Sequence, residues 1–166
     1  AALQNAPFNM SKKKKEQLKS DLHMSRYYED SRKLAYKLTK WSMNLKEKRK
    51  RFIITSGGGP GIMEAANRGA DEAKGLAVGL NITLPYEQSG NKWISKDLSL
   101  YFHYFFMRKF WFLYLAKALV VFPGGFGTLD ELMELLTLIQ TEKIRKKVPV
   151  VIYDKKFWNK IINFNQ

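Results

Sequence analysis

The sequence predicts an α/β fold of three layers, in which helices cover both faces of a mostly parallel sheet. Two observations support this prediction. From residue 51 onward, short runs of branched apolar residues alternate with longer amphipathic runs, which is the pattern of repeated strand–helix units. Two glycine-rich turns also occur, each directly after an apolar run and before an amphipathic one, as at the carboxyl edge of a parallel sheet.

Four apolar runs are predicted to be strands, because each has the length of a buried strand and is followed by turn residues. They cover residues 51–55, 76–83, 118–122 and 148–153. Helices are predicted between and around them. They cover residues 26–43, 61–74, 100–117 and 128–140, with a further helix starting near residue 155. The 61–74 segment repeats small residues every three or four positions, which permits close packing.

The length of 166 residues and the apolar content of 45% predict one domain with a sizeable core. We divide the chain into a lysine-rich basic leader or arm, residues 1–25, and a single nucleotide-binding domain, residues 26–166. This domain is expected to be incomplete at its ends, because the chain stops soon after a helix begins.

The composition excludes several kinds of chemistry. Cysteine is absent and only two histidines are present, so thiol chemistry, disulfides and a histidine-rich metal site are excluded, and we predict no metal and no cofactor. No apolar run approaches the roughly 18 residues of a membrane span. The sequence therefore predicts a soluble, cytoplasmic protein without a membrane partner.

The net charge of +14 is unevenly distributed. Residues 1–51 carry 15 Lys and Arg against 5 Asp and Glu, residues 52–140 carry 7 against 8, and residues 141–166 carry 7 against 2. The segment with the glycine turns is thus nearly neutral. Solvated basic faces are favoured over a nucleic-acid partner, although a weak, salt-sensitive attraction to polyanions is compatible with this charge.

The first glycine turn, SGGGPG at residues 56–61, follows the first predicted strand. Its consecutive glycines leave the backbone N–H groups open to an anion, and Ser56 adds a hydroxyl, so Ser56, Gly57 and Gly58 are candidate phosphate contacts. The second turn, PGGFGT at residues 123–128, follows the third strand. Neither turn matches a Walker loop or a dinucleotide fingerprint. Two such turns on neighbouring strands favour an anion site over mere tight connections.

Charged residues near these turns have two interpretations each. Glu131 either forms a capping box with Thr128 or stabilises a sugar cation during glycosidic bond cleavage. Glu87 either binds ribose hydroxyls or lies in a solvated loop. Arg108 and Lys109 interrupt the aromatic run FHYFFMRKFWF, which is better explained by cations held over a ligand pocket than by two solvated side chains.

Taken together, these motifs resemble the Lonely Guy family of cytokinin-activating phosphoribohydrolases, long labelled "possible lysine decarboxylases". The resemblance rests on SGGGPGIMEAANRGA at residues 56–70, GLNITLP followed by Glu87, MRK at residues 107–109 and PGGFGTLDE at residues 123–131. It covers about residues 26–160. Residues 1–25 show no counterpart of the strand and Gly-Ser turn with which this family normally begins, so either that strand is missing from this sequence or the site is incomplete. No pyridoxal-binding lysine context supports a decarboxylase.

The resemblance implies a Rossmann-like homodimer, or a higher oligomer, that hydrolyses the N-glycosidic bond of a nucleoside 5'-monophosphate. The substrate would be AMP or a cytokinin nucleotide. Arg108 and Glu131 fall on the catalytic pair of the family. The positions that fall on its ligand contacts are Glu87, Lys109, Gly124, Gly125, Gly127, Thr128 and Thr137. A carrier or sensor of the same fold, which binds a nucleotide without turnover, is the alternative.

Overall fold

The structure is a computed structural model that describes residues 11–46, 52–83 and 90–162. Three strands form one parallel sheet in the order β1 (Ile54–Ser56), β2 (Ala77–Ile82) and β3 (Ser99–Phe102). Two more, β4 (Leu119–Val121) and β5 (Val150–Ile152), form a parallel pair. All four predicted strands are confirmed. Three of them have narrower bounds, and β1 starts later than predicted and ends one residue later, at Ser56. The three-layer α/β fold with parallel sheets is confirmed.

Five α-helices accompany these strands in the described part of the chain. They are α1 (Lys12–Met43), α2 (Ile62–Glu72), α3 (Phe105–Leu115), α4 (Phe126–Gln140) and α5 (Lys155–Trp158). A short 3-10 helix, Lys96–Leu98, leads into β3. None of the described helices is both long and apolar enough to cross a membrane.

The first helix begins earlier than predicted. It starts at Lys12 rather than near residue 26, after Ser11, whose Oγ accepts a hydrogen bond from the N–H of Lys14. The lysine-rich segment contains good helix formers and neither glycine nor proline, so its residues favour a helix. The prediction missed this helix because it treated the low-complexity segment as a leader. The proposed boundary after residue 25 therefore falls inside α1.

The segment before α3 was also predicted wrongly. Residues 100–117 were expected to form one helix, but Ser99–Phe102 is an edge strand paired with β2, and α3 begins at Phe105. This strand is fixed by backbone pairing with residues about twenty positions away, from Gly79 to Ile82, and no glycine or proline separates it from the helix. Local pattern therefore did not reveal it.

The two glycine turns do not follow neighbouring strands, contrary to the prediction. The first follows β1 and the second follows β4, and these strands belong to different sheets of the described chain. The α3 helix connects the two halves. It packs on β2 and β3 at its beginning, while Leu113 near its end belongs to a core cluster with Leu135 and Val148.

The small-residue face of α2 packs mainly against α1 and less against the sheet. A Cβ atom at Gly69 would lie 2.1 Å from the backbone oxygen of Arg32 and 3.0 Å from the Cβ of Ala35. The two helices approach this closely because both present small residues at the crossing.

The middle of α1 is tied to β5 and α5 by two tyrosine–carboxylate hydrogen bonds. Tyr27 Oη donates to Asp154 Oδ2 at 2.5 Å, and Tyr153 Oη donates to Asp30 Oδ2 at 2.6 Å. Tyr153 also stacks on Phe122, with ring centroids 4.6 Å apart. This cluster fixes α1 to the part of the fold that contains β4 and β5.

We expect alkaline pH to destabilise this cluster. Burial, followed by the hydrogen bond to Asp154, raises the pKa of Tyr27 to about 12 from 10.0. Because the folded pKa is the higher one, the stabilisation is fully present below pH 10 and is lost as the pH rises through 12. The variant Tyr27→Phe should lose part of this alkaline fall in the free energy of unfolding, measured in urea between pH 8 and 12, whereas the exposed control Tyr36→Phe should retain all of it. An unchanged fall in Tyr27→Phe would contradict the assignment.

Candidate active site

The first glycine turn is held by hydrogen bonds on both sides. The N–H of Gly58 donates to Ser56 Oγ at 3.1 Å, so this hydroxyl closes the turn. The Nδ2 group of Asn91 donates to the carbonyl oxygens of Gly58 and Gly59 at 3.0 and 3.2 Å, and its backbone N–H donates to Gly58 at 2.8 Å. The turn is therefore a rigid, preformed element.

Two glycines of this turn are required by close approach. Gly58 has a φ of +76°, and a Cβ atom there would lie 1.9 Å from Asn81 Oδ1. A Cβ atom at Gly57 would lie 2.5 Å from Nη2 of Arg108. The absence of side chains thus lets the guanidinium group lie directly against the turn.

The second turn leads into α4, which begins at Phe126, two residues before the predicted start. Gly125 is the N-cap residue and no side chain caps the helix. Gly125 and Gly127 are exposed, and a Cβ atom at either would meet nothing within 4 Å. Backbone N–H groups at this helix N-terminus therefore face open space, where the helix dipole favours an anion. Gly124 differs from these two glycines, because a Cβ atom there would overlap Thr128 Oγ1.

The capping-box interpretation of Glu131 is wrong. Thr128 is the third residue of α4, not its N-cap, and its N–H donates to the backbone oxygen of Gly125 at 3.1 Å. Glu131 consequently lies more than one turn into the helix. Its Oε2 atom is buried, and no donor in the described part of the chain hydrogen-bonds to it.

Arg108 lies against the first turn, with its Nη2 atom next to Gly57. Its Nε donates to the backbone oxygen of Leu80 at 2.7 Å, and its guanidinium carbon lies 5.1 Å from the centre of the Phe112 ring. Burial lowers the pKa of Arg108, and the charge of Glu131 opposes this shift. Burial likewise raises the pKa of Glu131, and the charge of Arg108 opposes it. Arg108 and Glu131 are therefore partly desolvated opposite charges that stabilise each other.

Lys109 points to α4 and is neutralised there. Its Nζ forms ion pairs with Asp130 at 2.7 Å and with Glu134 at 3.1 Å. These hydrogen bonds raise the pKa of Lys109. The residue ties α3 to α4, and a ligand contact through Lys109 would have to share its charge with two carboxylates.

The remaining predicted contacts are not gathered at the turns. Thr137 is exposed on α4, nine residues beyond Thr128, which is about 13 Å along the helix axis. Its hydroxyl donates to the backbone oxygen of Met133 at 2.8 Å. Glu87 lies outside the described residues. Within residues 11–46, 52–83 and 90–162, no three acidic or histidine side chains are arranged to hold a metal ion.

Three supporting residues were missed in the sequence. Asn91 holds the first turn by hydrogen bonds, Asn81 packs against Gly58, and Glu134 pairs with Lys109. Asn81 offered a signal, since it is a polar residue within the apolar run of β2. Glu134 offered a weaker one, because it lies four residues after Asp130 and thus on the same helix face.

The parallel sheets and the glycine turn at the start of α4 define this chain as an α/β protein with a Rossmann-like fold. The model of one protein family, described as "Possible lysine decarboxylase", matches residues 63–166. The chain belongs to this family, the Lonely Guy family. Its members are nucleotide-processing enzymes, and the matched range includes Arg108, Glu131 and the second turn.

A solved structure supports the fold. The X-ray structure of TM1055, a Northeast Structural Genomics Consortium target, aligns with a TM-score of 0.55 and 21% sequence identity. The alignment covers 83% of this chain and 88% of that one. A comparison with curated proteins gives no match.

Proposed function

We propose that this protein hydrolyses the N-glycosidic bond of a nucleoside 5'-monophosphate, AMP or a cytokinin riboside monophosphate, to the free base and ribose 5-phosphate. The observation that carries the proposal is the pair of Arg108 and Glu131. Both side chains are partly desolvated and interact electrostatically. Arg108 lies against the first glycine turn, and Glu131 lies on the helix that follows the second turn without capping it. A site that only bound a nucleotide would have no need of a buried carboxylate beside it.

The phosphate is assigned to the N-terminus of α4. Exposed N–H groups around Gly125 and Gly127 supply donors there, and the helix dipole adds positive potential. Arg108 adds a full positive charge from the side of the first turn. A dianionic phosphate placed between these groups would carry its sugar toward Glu131.

Glu131 is assigned to the sugar. When the C1'–N bond breaks, its electron pair leaves with the base, and positive charge develops on C1' and the ring oxygen. An ionised carboxylate stabilises this charge and orients the water whose oxygen then bonds to C1'. The proton that this water loses passes to the carboxylate and from there to solvent, and the departing base takes up one proton from solvent, so that the free base and ribose 5-phosphate result. Arg108 supports this role because its positive charge counteracts the effect of burial on the pKa of Glu131.

This role predicts a shifted acid limb of the pH profile. Burial raises the pKa of Glu131, so the carboxylate becomes protonated at a higher pH than an ordinary glutamate. We expect kcat/KM to fall as the pH decreases, with a midpoint above the usual glutamate range. Initial rates measured between pH 4 and 8 test this expectation. A midpoint at or below the usual range would contradict it.

The function is tested by comparing AMP with adenosine. We expect adenine and ribose 5-phosphate to appear in equal amounts from AMP, and adenosine, which lacks the phosphate, to be cleaved at least about 100-fold less efficiently. Nucleotide that binds and is recovered intact would instead support the carrier or sensor alternative.

We also propose a homodimer, supported by an exposed aromatic surface on α3 and the start of α4. The residues of this surface all have large, exposed aromatic side chains. They are Phe105, Phe106, Phe110, Trp111, Tyr114 and Phe126. Phe126 is 93% exposed and Phe106 is 67% exposed. So many exposed large aromatic side chains are unusual on a monomer, and those of α3 adjoin Arg108 and Lys109 in sequence.

We expect the double variant Phe106→Glu/Phe110→Glu to be monomeric, because two carboxylates would be desolvated on each side of the interface. The control Leu76→Glu changes an exposed apolar residue outside α3 and should remain dimeric. Light scattering coupled to size-exclusion chromatography gives the masses. A monomeric wild-type protein would refute the dimer.

A further inference from the structure

The outer face of α1 carries lysines without acidic partners. Lys33, Lys37 and Lys40 are exposed at helical spacings of four and three, and Lys46 follows the helix. Within the described residues, no carboxylate lies within ion-pair distance of these four ammonium groups. Their positive charges are therefore available to an external anion.

The arginines of the same helix differ in this respect. Arg26 pairs with Asp30 at 3.4 Å, and Arg32 pairs with Glu29 and Glu72, each at 2.7 Å. The acidic side chains near the middle of α1 are thus paired with arginines, one of which, Arg26, is itself exposed. The contrast makes the lysine face a distinct basic surface rather than an average solvated one.

Exposed aromatic rings lie among these lysines. Trp41 stacks on Phe52 with ring centroids 5.2 Å apart and planes inclined by 14°. Their exposed fractions are 52% and 42%, so the pair is open to solvent. The ammonium group of Lys40 lies 5.7 Å from the centre of the exposed Tyr36 ring. Aromatic and cationic groups therefore alternate along one surface.

The sequence extends this basic character between α1 and Phe52. Residues 33–51 contain eight Lys and Arg and one acidic residue, Glu47. The aromatic pair of Trp41 and Phe52 is thus contributed by segments on either side of a basic run.

We propose that this surface, formed by Lys33, Tyr36, Lys37, Lys40, Trp41 and Phe52, binds single-stranded nucleic acid. Single strands are bound without strict sequence preference by surfaces that combine cations for the phosphates with aromatic rings for the bases. The lysines supply the first element, and the Trp41–Phe52 pair supplies the second. The surface uses no residue of the candidate active site, so this activity is separate from nucleotide hydrolysis.

An anionic membrane fits the same surface less well. A helix that lies on a membrane needs a continuous apolar stripe beside its basic face. On α1, lysines and aromatic residues instead alternate. The buried face of the helix contains the polar residues Ser31, Thr39 and Ser42. A single strand fits this alternation better, because its bases can stack on the exposed aromatic rings while its phosphates contact the lysines.

Fluorescence anisotropy of a labelled 20-nucleotide oligouridylate with the full chain tests the proposal. The variant Lys33→Ala/Lys37→Ala/Lys40→Ala should weaken binding at least about tenfold, and it should reduce the slope of log K against log salt concentration by about 2. The control Lys143→Ala/Arg145→Ala/Lys147→Ala removes the same charge from an exposed segment after α4, and its affinity should stay within about twofold of wild type.

Stacking is tested separately at Trp41. Trp41→Ala should weaken binding about tenfold with an unchanged salt slope, and Trp41→Phe should restore most of the affinity. Equal losses in both triple variants would overturn the proposal, because binding would then follow net charge alone. Full affinity in Trp41→Ala would overturn it as well, and so would binding to phosphatidylserine vesicles without binding to the oligonucleotide. Circular dichroism confirms that each variant is folded.

Discussion

Replacing Glu131 by glutamine is expected to lower kcat for AMP hydrolysis by about 10³-fold or more. Glutamine keeps the size of the side chain but can neither stabilise a cationic sugar by charge nor accept a proton from water. The N–H groups at the start of α4 and the guanidinium group of Arg108 remain in place. Nucleotide affinity should therefore stay within about tenfold, or about 1.4 kcal/mol.

The matched control for this variant is Glu142→Gln, which neutralises an exposed carboxylate just after α4. Its kcat should equal that of the wild-type protein. Rates come from single-turnover experiments, and affinities come from equilibrium titration with the same nucleotide. If Glu131→Gln retained wild-type turnover, Glu131 would have no part in the mechanism.

The variant Gly58→Ala is expected to lower the free energy of unfolding by about 3 kcal/mol. A φ of +76° costs an alanine about 1–2 kcal/mol, and its Cβ atom would overlap Asn81 Oδ1. Asn81 cannot easily move away, because it is buried and donates hydrogen bonds to Ser99 Oγ at 3.1 Å and to the backbone oxygen of Leu100 at 3.2 Å. Denaturant unfolding measures the loss.

A second glycine provides the control. Gly127 lies in the first turn of α4, and a Cβ atom there meets nothing within 4 Å. Gly127→Ala should leave the stability unchanged or raise it by about 0.5–1 kcal/mol, since alanine is the better helix former. Equal stability of the two variants would show that the first turn does not require a glycine at position 58.

The sequence predicted the elements whose pattern is local. Branched apolar runs followed by turn residues, two of them glycine-rich turns, identified four strands, and the helical spacing of leucines identified α4. The strand β3 was missed because its partner, β2, lies about twenty residues away. The separation of β1 from β4 was missed for the same reason, since strand order depends on contacts that no local window contains.

The candidate site was predicted to a similar extent. The motifs singled out Arg108 and Glu131, and the structure brings their charges together. Whether Thr128 and Glu131 form a capping box depends on where α4 begins. The helix begins at Phe126, two residues before the predicted start, so Thr128 is not its N-cap residue. The support from Asn91 was invisible in the sequence, because 32 and 33 positions separate it from its acceptors Gly59 and Gly58.

The central claim is that this chain cleaves nucleoside 5'-monophosphates at the glycosidic bond. The most direct measurement is a quenched time course of the wild-type protein with AMP and, separately, with isopentenyl-AMP, in which base and sugar phosphate are separated by chromatography. We predict that free base and ribose 5-phosphate accumulate together over many turnovers for at least one of the two. Recovery of both nucleotides intact, at concentrations where they bind, would contradict the claim.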